Sequence, residues 1–108
     1  LADNARKQAC QMMVDAVSDK AKDNTPAFCT GDFNATPDAP EIATTICQSG
    51  ILKDAYREAA VQHGALFTFP SKKTRIDFIF VKHATVLSTR TIVSSLSDHY
   101  PMVIVVEI

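Results

Sequence analysis

Three short stretches place acidic, amide and imidazole groups at the ends of apolar runs or inside them, where burial ordinarily excludes such groups. In Gly31-Asp32-Phe33-Asn34 a glycine supplies a sharp bend, and a carboxylate and a carboxamide two positions apart project from one side of an extended turn. Such a pair can position a water molecule and hold an anionic oxygen, although Asp and Asn are also ordinary turn residues. In Arg75-Ile76-Asp77-Phe78-Ile79-Phe80-Val81 a carboxylate sits within an otherwise apolar strand pattern. Burying that charge costs several kcal/mol unless it is paired, so Asp77 requires a partner, either a nearby Arg or Lys or a group at a site. In Ser97-Asp98-His99-Tyr100-Pro101 adjacent Asp and His side chains diverge in an extended segment and therefore serve different partners. A lone loop histidine is usually structural, but here it follows two other acidic signals placed at similar loop or strand positions.

The elements that must position these groups follow from periodicity. Ala5, Ala9, Met12, Met13, Ala16 and Val17 recur at spacings of three and four between Asp3 and about Lys22, which predicts an amphipathic helix packing through that face. Asn24-Thr25-Pro26 ends it, and a short strand, Ala27 to Thr30, leads into the first polar stretch. Asp38-Ala39-Pro40-Glu41 has the cap-x-x-Glu form that opens a second helix running to about Ser49, where Gly50 stops it. A shorter helix is expected from Asp54 to Gln62, ending at His63-Gly64. Leu66 to Phe69, Arg75 to Lys82, Thr85 to Val93 and Met102 to Ile108 are rich in β-branched and aromatic residues and read as strands. Short spacing between the later strands favours antiparallel neighbours, which gives an α+β or layered α/β sandwich architecture.

The composition, 46% hydrophobic and 21% charged over 108 residues, fits one globular unit at most and excludes a disordered tail. No apolar run approaches the roughly 18 residues that cross a bilayer. A net charge of −1 gives no bulk attraction to a polyanion, so phosphate recognition has to be local. Cys10, Cys29 and Cys47 form no metal-type pair and read as small core fillers, with their redox state left open. Lys72, Lys73 and Arg75 form a basic cluster that suits either a substrate phosphate or a solvated turn. Phe67, Phe69, Phe78 and Phe80 suit base stacking if exposed and core packing otherwise. Tyr56 reads as a half-buried packing residue, and His63 and His83 as surface residues.

In this order and at these separations, G-D-F-N-A-T-P (31–37), R-I-D-F-I-F-V (75–81) and S-D-H-Y-P (97–101) resemble the last three motifs of the endonuclease/exonuclease/phosphatase family. The resemblance also takes in the helix before the first motif and the G-I-L-K-D-A-Y segment after it, and so spans essentially the whole chain. It implies the C-terminal half of a deoxyribonuclease I-like αββα sandwich of two mostly antiparallel sheets, with residues 1–108 a partial domain lacking its N-terminal half. It also implies a metal-dependent phosphoester hydrolase working by in-line attack of water on phosphorus, the alternative being an inactive member that serves as a binding module. By the same resemblance, Asp32 looks like the group that positions or deprotonates the water and Asn34 like the amide holding a phosphate oxygen. His99 looks like the phosphate-facing imidazole, Asp77 its buried partner, and Asp98 a carboxylate on the metal side. Hard oxygen ligands favour Mg²⁺ or Mn²⁺ over Zn²⁺. Relatives cleave nucleic acid, phosphorylated small molecules and lipid headgroups, and the family places an Asn, a metal-binding Glu and a second His upstream of the segment matched here. The chain does not begin with Met and is expected to start inside a longer protein, which leaves both a cytoplasmic and a secreted location open.

Overall fold

The computed structural model describes residues 2–18 and 24–108. Helix α1, Ala2–Ser18, buries Cys10 and Val14 and packs Met13 and Val17 against the same core. The expected face differs from this stripe: Ala5, Ala9 and Ala16 are exposed and Met12 is 71% accessible. The alanines offer little area to bury, so the helix is seated by the stripe of Cys10, Met13, Val14 and Val17 and leaves Met12 outside. The expected extension to Lys22 lies outside the described residues.

Two three-stranded sheets form the rest of the frame. In the first, β4 (Asp77–Lys82) is the central strand, flanked by β1 (Ala27–Asp32) and the two-residue β2 (Lys53–Asp54), both antiparallel to it. In the second, β5 (Thr85–Thr91) lies between β3 (Val61–Gly64), which runs parallel to it, and β6 (Met102–Glu107), which runs antiparallel. Strands β4 and β5 are consecutive yet belong to different sheets, so the short connection through His83, at φ 54°, changes layer and does not close a hairpin.

Alternation along β4 explains the layering. Phe78 and Phe80, both fully buried, face α1 together with Ile42, Ile46 and Leu52, and Phe33 meets both rings edge-on at 5.6 and 5.1 Å. Ile79 and Val81 join Val86, Ile104 and Val106 of the second sheet in a smaller cluster. The order is therefore helix, sheet, sheet, as a layered α/β sandwich requires. The three cysteines are free; Cys10 is buried, Cys29 and Cys47 pack against the core, and burial raises all three thiol pKa values, as expected of core fillers.

Between β1 and β6 the local structure departs from expectation at three places. The second helical stretch is a π-type turn, Glu41–Ile46, continued by a 3-10 turn, Cys47–Ser49, and its N-cap residue Pro40 makes no side-chain cap bond. Asp38 instead accepts a hydrogen bond from Thr36 Oγ1 at 2.5 Å, which holds its carboxyl below the usual range. The helix expected from Asp54 to Gln62 is only Ala55–Glu58 (α2), capped by Asp54, and the chain then becomes β3. Pairing with β5 outweighs helical propensity there, and Gly64 allows it: at φ 85°, a Cβ would stand 2.0 Å from the Thr91 carbonyl oxygen. The expected strand from Leu66 to Phe69 reduces to a single bridge, Phe69 to Thr74, closing a tight loop.

Arg75 resolves one open choice. Its guanidinium makes a bidentate pair with Asp54 at 3.1 and 2.9 Å, with both side chains under a tenth exposed, and lies 4.4 Å from the half-buried Tyr56 ring and 4.9 Å from Phe78. This pair ties β2 to the segment entering β4, and removing one partner would leave a buried charge at a cost of about 3–5 kcal/mol. Arg75 is thereby committed to Asp54, and the carboxylate inside β4 has to find its partner elsewhere.

Candidate active site

The β1–β4 register places Asp32 directly across from Asp77, at the last pair of the ladder. Both carboxylates thus emerge at one end of the first sheet. The loop before β6 brings His99 to them: its Nδ1 lies 2.7 Å from Asp77 Oδ2 and its Nε2 3.8 Å from Asp32 Oδ2. Asp32, Asp77 and His99 form one cluster whose ligand atoms all lie within 4.8 Å of one another, a group able in kind to bind a metal.

Asp77 holds His99 in a defined tautomer. With its carboxylate accepting at Nδ1, the ring directs Nε2 toward Asp32, and Phe69 packs against the imidazole at 4.9 Å between centroids. The hydrogen bond to Asp77 is the largest cause raising the His99 pKa above 6.5; partial burial opposes it, and the charges of Asp77, Asp32 and Asp98 add to it. Asp32 is also oriented, because its Oδ1 accepts the Asn34 N–H at 2.8 Å. Asn34 adopts φ 49°, a left-handed conformation that Asn tolerates, and so bends the chain as it leaves β1.

Asp98 is exposed, with Oδ1 3.3 Å from the Ser97 hydroxyl, and lies outside the Asp32, Asp77 and His99 cluster. Of the basic cluster, Arg75 is buried with Asp54, while Lys72 and Lys73 are exposed on the turn. None of the four phenylalanines considered for base stacking is exposed: Phe78 and Phe80 are core, and Phe67 stacks on Tyr100 at 6.0 Å. His63 and His83 are exposed.

One residue with a role in this geometry gave no sequence signal. Thr68 is fully buried, and its Oγ1 accepts hydrogen bonds from the backbone N–H groups of both Ile76 and Asp77 at 3.1 Å. Its carbonyl accepts the Tyr100 N–H at 2.7 Å. A single threonine thus fastens the start of β4, which carries Asp77, to the loop that carries His99. A threonine in an apolar run reads as an ordinary strand former, so only the fold exposes this role.

The sequence matches the Endonuclease/Exonuclease/phosphatase family over residues 1–99, and the chain belongs to that family. Its structure is similar to that of an endonuclease/exonuclease/phosphatase from Bacteroides vulgatus, with 31% identity and a TM-score of 0.85 over 97% of this chain and 44% of that one. It is also similar in fold to a mannosyl-6-phosphatase of Bacteroides thetaiotaomicron VPI-5482, at 22% identity and a TM-score of 0.82, over 97% of this chain and 46% of that one. A conserved protein of unknown function from Enterococcus faecalis V583 shows the same fold at 23% identity and a TM-score of 0.75, over 97% of this chain and 45% of that one. The chain therefore spans less than half the length of these solved structures. A search of the curated proteins finds no match.

Proposed function

We propose that residues 1–108 are the C-terminal half of an endonuclease/exonuclease/phosphatase domain, and that the complete domain hydrolyses a phosphoester with a divalent cation. The observation that carries this reading is the convergence of Asp32, Asp77 and His99 at one end of the first sheet, with His99 fixed by Asp77 at 2.7 Å. Asp32 Oδ2 accepts a proton from the attacking water while Oδ1 stays anchored to the Asn34 amide. His99 Nε2–H donates to a nonbridging phosphoryl oxygen, and its positive charge, maintained by Asp77, offsets the charge that builds there. The 3.8 Å between Nε2 and Asp32 Oδ2 exceeds a hydrogen bond, so each atom is available to a third group. The Asn34 carboxamide, at the mouth of the same loop, holds a second phosphate oxygen.

The donors available suit a hard cation in kind. Asp77 and His99 are engaged with each other, so the oxygen ligands this half would offer are the Asp32 carboxylate of the cluster and the exposed Asp98, next to His99 in sequence. Mg²⁺ or Mn²⁺ held there would supply positive charge to the phosphoryl group. The remaining ligands belong, in this reading, to the N-terminal half.

The test uses the full-length protein with phenyl phosphate and bis(4-nitrophenyl) phosphate. Hydrolysis is expected with Mg²⁺ or Mn²⁺, to cease under excess chelator and return on re-addition, and to be lost in Asp32→Asn. Undiminished turnover in chelator would overturn the metal dependence. Failure to cleave any phosphoester with either cation would favour the inactive binding module.

A further inference from the structure

A cavity of ≈ 650 Å³ opens directly from the site, with Asn34 and His99 on its wall. The other walls are the N-terminal turns of α1, the loop after β1, and the tight loop between Phe69 and Thr74. A second space, of ≈ 640 Å³, also reaches His99 and holds Asp32 and Asp77. The volume of the first lies within the range of roughly 300–1,000 Å³ typical of pockets for small molecules.

The charges on the lining are not balanced. Arg6 is compensated, since its Nε donates to the buried Glu41 at 3.0 Å and a terminal nitrogen pairs with Asp3. Lys7 acts on Glu41 electrostatically, helping to hold that carboxyl below its usual range behind its own backbone amide and Arg6. Lys72 also lines the cavity, and among the described residues its ammonium has no side-chain partner. Arg6, Lys7 and Lys72, together with the protonated His99, thus share the cavity wall with only two carboxylates, Asp3 and Glu41, in a chain whose net charge is −1. Phe69 and Ile76 give the same cavity an apolar portion.

We propose that this cavity receives the leaving group of the substrate, and that the preferred leaving group is a small molecule carrying a second anionic group held by Lys72. The inference rests on the hydrolase reading above and narrows its substrate class to phosphorylated small molecules. A local ammonium on a pocket wall recognises a carboxylate or phosphate as a point charge, without the fixed geometry of an arginine fork. Its contribution to binding is present before and during reaction, so its loss weakens KM and leaves kcat in place.

The experiment compares phenyl phosphate with 4-carboxyphenyl phosphate in the full-length protein and in Lys72→Ala and Lys72→Glu variants, with Mg²⁺ supplied. The wild type is expected to prefer the carboxylated ester. Lys72→Ala should raise KM for that ester about tenfold and leave its kcat, and both constants for phenyl phosphate, within about twofold. Lys72→Glu should go further in the same direction, and added salt should erode the preference of the wild type but not of Lys72→Ala. Equal effects of the variants on both esters, no effect on either, or preferred cleavage of a short oligonucleotide that ignores Lys72 would overturn the inference while leaving the hydrolase reading intact. Absence of turnover on every ester would overturn both.

Discussion

At the scale of single residues, the site depends on what a carboxylate does to an imidazole. Asp77 raises the His99 pKa mainly through the 2.7 Å hydrogen bond, so the protonated ring is favoured in the folded state. The stability from this pair is fully present below the ordinary histidine value of 6.5 and fades as pH rises through the higher folded value. Asp77→Asn keeps the shape and removes the charge. In the full-length protein it should lower the His99 pKa, seen by NMR titration of the ring, and reduce turnover by on the order of a hundredfold. Combined with His99→Ala it should cost little more than His99→Ala alone, because the two residues act as a unit. An unshifted titration with strictly additive losses would show that Asp77 acts without His99.

At the scale of elements, the geometry of the proposed site reduces to how β4 is held at its first residue. Asp77 begins the strand, where backbone pairing is thinnest, and Thr68 supplies the missing acceptor to the Ile76 and Asp77 amides while its own carbonyl fastens the His99 loop. Thr68→Val keeps the volume but leaves two amides without that acceptor, at a cost of about 1–3 kcal/mol if they stay dry. Urea unfolding of the full-length variant should show this loss, with turnover falling at nearly constant KM. Thr68→Ser should restore most of both. If Thr68→Ser were as damaged as Thr68→Val, methyl packing and not hydrogen bonding would fix the strand.

At the scale of the molecule, the described residues form a slab with extents of 40 × 38 × 20 Å. Phe28 on the first sheet and Leu87, Val103 and Val105 on the second remain 41–52% accessible. Strands β1 and β6 are terminal in their sheets, and one leads into Asp32 while the other follows His99. An unpaired edge beside apolar surface is a template for association. The 108 residues alone should therefore bind a hydrophobic dye, self-associate in sedimentation and hydrolyse nothing, whereas the full-length protein should be free of the first two behaviours. A monomeric, cooperatively melting and active 108-residue chain would contradict this.

The sequence by itself determined the three polar stretches, their order, and the requirement that a carboxylate within Ile76 to Val81 be partnered. These follow from burial cost and short-range pattern, which act within a few residues. It also placed β1, β4, β5 and β6 to within a few residues, because β-branched and aromatic runs bounded by turns leave few alternatives. Only the tertiary structure decided which partner Asp77 takes: Arg75, two residues away, goes to Asp54, and His99, 22 residues away, goes to Asp77. The same holds for the turn of α1 about its axis, for β3 in place of a longer helix, and for Thr68. Each is settled by competition among groups distant in sequence for the same space or the same hydrogen bond, and that competition exists only once the layers are packed.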